Sequence, residues 1–377
     1  MKFWWVLIVI GSIQFSSCVG GTEENQGDRS VVKEDTLDYQ FKEFDAATIS
    51  KIDRFFKIKR SAGVFNGNVA MYKAGKLYKS SYGYSNYLKK TPLNDSSVFQ
   101  LASGSKPITA IAVMQLVENG KLSLTDTINH IIPDFPYPGI TVEMLLSHRS
   151  GLSNYMYITD SLWLDQGIPM CNDNLLDSLI VKNPDPYYSV NQKFNYCNTN
   201  YFLLAAIVEN VTGREFGSWV QENIFDSIQM IHTQIYSNMR MRDIPNLAIG
   251  SENRKWHIPD YYLNGITGDK GVYSTTNDML NLHMGLQSGT VLDYSTVFNM
   301  YEPRSVFNYR NGSYGLGWRI VKKRENYPRI IYHLGWWRGY RSYFIRIPEE
   351  DIAVIILSNL ARGKFMSKEE LINLIRD

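Results

Sequence analysis

Apolar and polar positions follow three different rhythms along this chain. At its start, Lys2 precedes an unbroken apolar run from Phe3 to Ile10, and small and polar residues then lead to Phe15-Ser16-Ser17-Cys18. Such a run is well short of the ~20 residues that a spanning helix needs, and it suits the apolar region of an export signal. From Val19 to about Tyr39 the residues are Gly-rich, polar and charged without apolar periodicity, the pattern of a tether. The pattern divides the chain into a signal segment (1–17), a tether (18–40) and a folded domain (41–377).

Within the domain the rhythm changes twice. Ile49, Ile52, Phe55, Phe56 and Ile58 recur at helical spacing over Ala46 to Lys59, and Gly63 follows. Val64 to Tyr72 and Lys76 to Tyr84 flank Lys73-Ala74-Gly75 and read as a hairpin. Between about residues 96 and 288 the pattern is mostly helical with long loops, as in Ile108 to Glu118 before Gly120 and Tyr201 to Val211 before Gly213. Strand-like segments return at Tyr314 to Lys322, Ile330 to Leu334, Tyr343 to Ile347 and Ile352 to Leu357, and Lys368 to Ile375 is helix-like. The predicted class is α/β (α+β): an antiparallel sheet flanked by helices and built from N- and C-terminal segments, with an inserted, mainly helical lobe and a cleft where the two meet.

Composition changes this picture little. The formal charge of +2 provides no field to gather nucleic acid, so partners are argued from a site. The 25 Tyr and 8 Trp fit a well-filled core more readily than a cleft lined with rings. Besides Cys18 there are two cysteines, Cys171 and Cys197, for which two buried thiols is the simpler reading and a bridge remains open. His130, His232, His257 and His283 are isolated, with no ligand spacing, so no metal or other cofactor is expected. No Gly-x-Ser-x-Gly elbow or Walker loop is present.

Candidate chemistry begins at Leu101-Ala102-Ser103-Gly104-Ser105-Lys106-Pro107, directly before a helical pattern. Pro107 suits a first helical turn, and positions i and i+3 share a face, so the Lys106 amine falls beside the Ser103 hydroxyl. A neutral lysine in a partly dry cleft can accept the serine proton, and the Ser103 N–H can stabilise an oxyanion. A second Ser-x-x-Lys, Ser30 to Lys33, lies in the tether and opens no helix. Next, Tyr196-Cys197-Asn198 precedes the helix from Phe202: the Tyr can carry a proton and the Asn can bind an amide carbonyl. Third, Tyr332-His333-Leu334-Gly335-Trp336-Trp337-Arg338 places a His and a Gly on a strand, where the Gly permits close approach of a substrate and the His offers a hydrogen bond.

Together, Ser103-x-x-Lys106, Tyr196-x-Asn198 and His333-x-Gly335 resemble, in order and approximate spacing, the three motifs of serine β-lactamases and penicillin-binding proteins. The branch is that of class C β-lactamases and D-alanyl-D-alanine carboxypeptidases. Leu145-Leu146-Ser147-His148-Arg149-Ser150-Gly151-Leu152 and Gly268-Asp269-Lys270-Gly271-Val272-Tyr273-Ser274-Thr275 are similar to further segments of that family. The likeness runs from about Phe56 to Asn359. It implies a β-lactamase/transpeptidase-like fold, Ser103 as nucleophile, Lys106 and Tyr196 as the base and acid pair, and Asn198 as a ligand of the substrate amide. His333 and Gly335 would face the cleft, the N–H groups of Ser103 and Trp336 would form the oxyanion hole, and His148 would fix a loop rather than act as a base. The first residues likewise resemble a bacterial lipoprotein signal, implying lipid-modified Cys18 at the start of an exported, membrane-anchored protein.

Many β-lactamases carry Lys-Thr-Gly where this chain has His333-Leu334-Gly335. A histidine is neutral at neutral pH unless shifted, so the fixed charge that holds a substrate carboxylate is weakened, with Arg338 as a candidate replacement. The expected activity is acyl transfer to water through Ser103, on a small peptide, D-amino-acid derivative, ester or β-lactam. Uncharged substrates are favoured over β-lactams, and carboxylates gain below about pH 6.5 as His333 protonates. The alternative is a catalytically idle relative that binds cell-wall peptides or a partner.

Overall fold

The Asp45 carboxylate accepts the Thr48 N–H at 2.9 Å and caps the first helix, α1 (Ala46–Ser61), which buries Ile52 and Phe56. The computed structural model describes residues 40–376 apart from 164, 237–242, 255, 309–311 and 326. All of these lie in the unit running from Thr36 to Asp377. Residues 1–17, Cys18 and all of the tether before Gln40 fall outside the described residues. After α1 the strands β1 (Gly67–Lys73) and β2 (Lys76–Tyr82) form the expected hairpin. Ala74 and Gly75 both take positive φ, 45° and 81°, as a two-residue primed turn requires.

Three longer helices follow: α2 (Lys106–Glu118), α3 (Asn198–Thr212) and α4 (Thr276–Ser288). The chain then returns to the sheet through β3 (Ser305–Asn308), β4 (Gly312–Tyr314), β5 (Arg319–Val321), β6 (Ile330–Trp337), β7 (Tyr340–Ile347) and β8 (Ile352–Ser358), and closes with α5 (Lys368–Arg376). Among the described residues these strands form one eight-stranded sheet in the order β2-β1-β8-β7-β6-β5-β4-β3, every neighbouring pair antiparallel. Its N- and C-terminal segments meet where Gly67 pairs with Ser358 and Lys73 with Ile352.

Strand periodicity divides β8 between two cores. Ile352, Val354 and Ile356 pack with Ile52 and Phe56 of α1 and Leu371 and Ile372 of α5. Ala353, Ile355 and Leu357 join the larger core with Ile111 of α2, Leu203 of α3 and Leu282 of α4. Covered on both faces, β8 is apolar throughout, as a central strand must be. The helical lobe therefore rests on one face of the sheet, and the turn that opens α2 meets β6.

One expectation needs correction. Tyr314 to Lys322 is not one strand: β4 and β5 are separated by a turn in which the Gly315 N–H reaches the Trp318 carbonyl at 2.9 Å. Tyr314, Leu316, Trp318 and Ile320 are indeed all buried, but Leu316 and Trp318 are buried within the turn. Within the mainly helical lobe, Phe99–Gln100, Gln234–Ile235 and Val272–Ser274 form a small sheet. Cys197 is a free, buried thiol, so the open alternative of a bridge to Cys171 does not hold.

Candidate active site

Ser103 sits in a tight turn, Ala102–Ser105, that runs directly into α2. The turn is pinned at Leu101, whose N–H reaches the Val272 carbonyl at 2.9 Å and whose carbonyl accepts Ser342 Oγ at 2.5 Å and the Gly104 N–H at 2.9 Å. Ala102 takes φ of +52°, a strained value for a residue with a Cβ, immediately before Ser103. Gly335 on β6 lies hard against this turn: a Cβ there would stand 2.0 Å from the Leu101 carbonyl oxygen and 2.3 Å from Ser342 Oγ. Glycine at 335 is therefore what allows the strand backbone to lie beside Ser103.

Lys106 is fully buried, and its Nζ lies 3.2 Å from Ser103 Oγ, 2.8 Å from Asn198 Oδ1 and 2.9 Å from the Asp269 carbonyl oxygen. The last two can only accept, whereas a hydroxyl can accept or donate. Ser103 and Lys106 are thus brought together as their spacing predicts, and Asn198 joins them. The Asn198 amide N–H donates to Met156 Sδ at 3.0 Å, a weak acceptor that a substrate carbonyl can replace.

Tyr196 comes alongside, its ring centroid 5.1 Å from Lys106 Nζ. The segment carrying it is held by His148: the His148 carbonyl accepts the Asn195 N–H at 2.9 Å, and Nδ1 accepts the Cys197 N–H at 3.2 Å. The His148 ring lies 4.3 Å from the Tyr196 ring. Burial pushes His148 well below the usual histidine range, so it is neutral and serves to fix the loop.

His333 and Gly335 lie on the lobe side of β6, where they pair with Phe344 and Ser342. His333 is fully buried and both ring nitrogens are engaged, Nε2 with the Tyr314 hydroxyl and Nδ1 with the Leu334 carbonyl, each at 3.1 Å. Burial first, then Arg319 and Lys106, holds it well below its ordinary value. The expectation that His333 charges near pH 6.5 and then grips a carboxylate is therefore wrong. Nor does Arg338 replace the charge, because its guanidinium stacks over Tyr261 at 4.4 Å, beyond the end of β6. The cation beside Tyr196 is Arg319 on β5, 5.1 Å from that ring and 5.2 Å from Phe307.

Trp336 belongs to the stretch of β6 that β5 leaves uncovered, since β5 pairs only with Ile330 to Tyr332. Its side chain is 54% exposed, and by strand alternation it points away from the lobe, so only its backbone borders the cleft. Trp337 turns the other way and packs against the lobe. There it meets a buried trio absent from the sequence reading: Lys270 Nζ lies 5.3 Å from the Trp337 ring, 2.6 Å from the Tyr155 hydroxyl and 3.4 Å from Asp269 Oδ1. The signal that locates the trio is the glycine pair Gly268 and Gly271, with φ of +92° and +96°, which bends the chain so that the Asp269 carbonyl reaches Lys106.

An antiparallel sheet with helices on its outer face, a helical lobe on the other, and a Ser-x-x-Lys turn where they meet is the β-lactamase/transpeptidase fold. Residues 50–375 match the family described as Beta-lactamase, and the chain belongs to it, a family of serine hydrolases. Penicillin-binding protein 4* of Bacillus subtilis is 32% identical over 309 residues, covering 78% of this chain and 68% of that protein. Protein flp of Staphylococcus aureus is 22% identical over 312 residues, which cover 78% of this chain but only 59% of that protein. Among solved structures, a penicillin-binding protein from Bacillus halodurans superposes with a TM-score of 0.71 at 23% identity, over 85% of this chain and 96% of that one. D-amino acid amidase from Ochrobactrum anthropi SV3 gives 0.72 at 23%, over 85% and 94%.

Proposed function

We propose that this protein hydrolyses a small acyl substrate through an acyl-enzyme on Ser103. The observation that carries the reading is the placement of Lys106 Nζ between Ser103 Oγ and two obligate acceptors. Lys106 takes the hydroxyl proton as Ser103 attacks, Tyr196 returns a proton to the leaving group, and water then releases the acid with the same groups in reversed roles. The N–H groups of Ser103 and Trp336 are the oxyanion donors in this scheme, with Asn198 on the substrate amide. A binding-only protein has no use for a fully buried lysine beside a serine hydroxyl, which disfavours the idle alternative.

The fluorophosphonate test is direct: the wild-type protein should gain one adduct on Ser103, seen by mass, and Ser103→Ala none. Equal labelling of the two, or no labelling of the wild type, sinks the reading.

Arg319 bears on substrate class, because it restores a fixed positive charge to the Tyr196 and His333 corner. This favours acyl donors that carry a carboxylate close to the scissile bond, such as small peptides with a free C-terminus one residue beyond it. Arg319→Gln is expected to lower kcat/KM for a carboxylate-bearing substrate about tenfold relative to its neutral ester analogue. Assays of both substrates at pH 7.5 measure the ratio, and a ratio equal to wild type removes Arg319 from recognition. The N-terminal segment is proposed to be a lipoprotein signal that leaves a lipid on Cys18.

A further inference from the structure

Behind the site lies an ion pair that the scheme above does not use. Asp269 and Lys270 are almost completely buried, and the Tyr155 hydroxyl joins them, donating to Asp269 Oδ2 at 3.0 Å and lying 2.6 Å from Lys270 Nζ. The carboxylate belongs to the residue whose own carbonyl holds Lys106 Nζ at 2.9 Å. A buried anion this close favours the ammonium form of a lysine, whereas a base for Ser103 must be the amine.

We propose that Lys270 is a positioning residue that cancels the Asp269 charge and so lets Lys106 shed its proton and serve as the base for Ser103, an assignment that rests on the acyl-enzyme reading.

The surroundings leave Lys270 as the partner of that carboxylate. Of the groups facing Lys106, His148 and His333 are held neutral by burial, and burial likewise pushes the Tyr201 hydroxyl and the Cys197 thiol up, away from their charged forms. Tyr196 presents its ring, and Arg319 stands over that ring as a cation. Around Lys270 the neighbours are Tyr155, itself held neutral by burial, the Trp337 ring and Lys106. Burial lowers Lys270 to about 8, with Asp269 opposing that shift, so the pair is charge-balanced at neutral pH.

The test is the pH dependence of the second-order rate of fluorophosphonate labelling of Ser103 between pH 5.5 and 10. In Lys270→Met the limb that rises with pH should move up by about one unit or more, a loss of about tenfold or greater at pH 7 that is recovered at high pH. Lys270→Gln, which keeps a donor for Tyr155, should move it likewise and serves if the methionine variant does not fold. Lys270→Arg, which keeps the charge, and the double variant Asp269→Asn/Lys270→Met, which removes both, should return the limb to within about half a unit of wild type. A purely structural role lowers the rate by one factor at all pH values, and that result overturns the proposal. A double variant displaced as far as the single one does the same. Labelling of the wild type with unmoved limbs defeats this assignment alone, whereas an unlabelled wild type defeats the acyl-enzyme reading and this assignment with it.

Discussion

Lys106→Met is expected to lower the rate of acylation at Ser103 by about 10³-fold with little change in stability. The side chain is fully buried and its amine lies 3.2 Å from the nucleophile, so methionine fills nearly the same volume without the group that accepts the proton. Two effects on folding oppose each other. Removing a buried amine ends its desolvation cost, while the Asn198 side chain and the Asp269 carbonyl lose a donor, at about 1–3 kcal/mol for each unsatisfied group. The comparison to make is labelling rate against thermal midpoint. A folded variant that retains more than about a tenth of the wild-type rate takes Lys106 out of the mechanism, since a general base supplies at least about 10²-fold.

Acid is the second large effect. His148, His283 and His333 are all fully buried, and burial is the leading cause that pushes each below its ordinary value, His283 to about 4 and the others well below 6.5. His283 is further disfavoured as a cation by Arg346, whose Nε donates to its Nδ1 at 2.9 Å. When the protein unfolds below about pH 6.5, each histidine binds a proton that the folded state excludes, so the unfolded chain holds more protons and stability falls with pH. Stability is thus highest above pH 6.5 and declines by about 1.4 kcal/mol per pH unit for each histidine, about 4 kcal/mol per unit for the three together. Against a total of roughly 5–15 kcal/mol this brings unfolding close by pH 5. Urea midpoints from pH 8 to 5 measure the slope, and His283→Gln should reduce it by about a third. A midpoint that is flat between pH 6.5 and 5 contradicts the burial of these neutral rings.

Much of the site was legible because its parts are local. Ser103 and Lys106 are one helical turn apart, and Tyr196 and Asn198 are two residues apart, so spacing alone places each pair on a common side. The hairpin from β1 to β2 was legible for the same reason, Ala74 and Gly75 giving the turn. The segment after Tyr314 was misread because a buried turn can carry the same alternation as a strand. Gly317, with φ of +86° and a missing Cβ that would meet Ala110 Cβ at 2.3 Å, marks where the chain presses into α2. Arg319 beside Tyr196 and the trio of Tyr155, Asp269 and Lys270 were not legible, because these contacts join residues more than a hundred positions apart, the one between Asp269 and Lys270 excepted. The charge of the histidine on β6 was misjudged because burial, not residue type, decides it.

The pairing of β1 with β8 has a kinetic side. Gly67 and Ser358 stand at opposite ends of the domain in sequence, yet they are neighbours in the middle of the sheet. During synthesis the first hairpin therefore emerges with an apolar edge that has no partner until nearly 300 residues later, and loop-closure entropy makes so distant a contact slow to form. The Ser103 turn is braced by Gly335 and Ser342 from those same late strands, so it is assembled only near the end of folding. Until then that edge stays open, and a chain cut short before β7 lacks both the partner of β1 and the brace of the Ser103 turn.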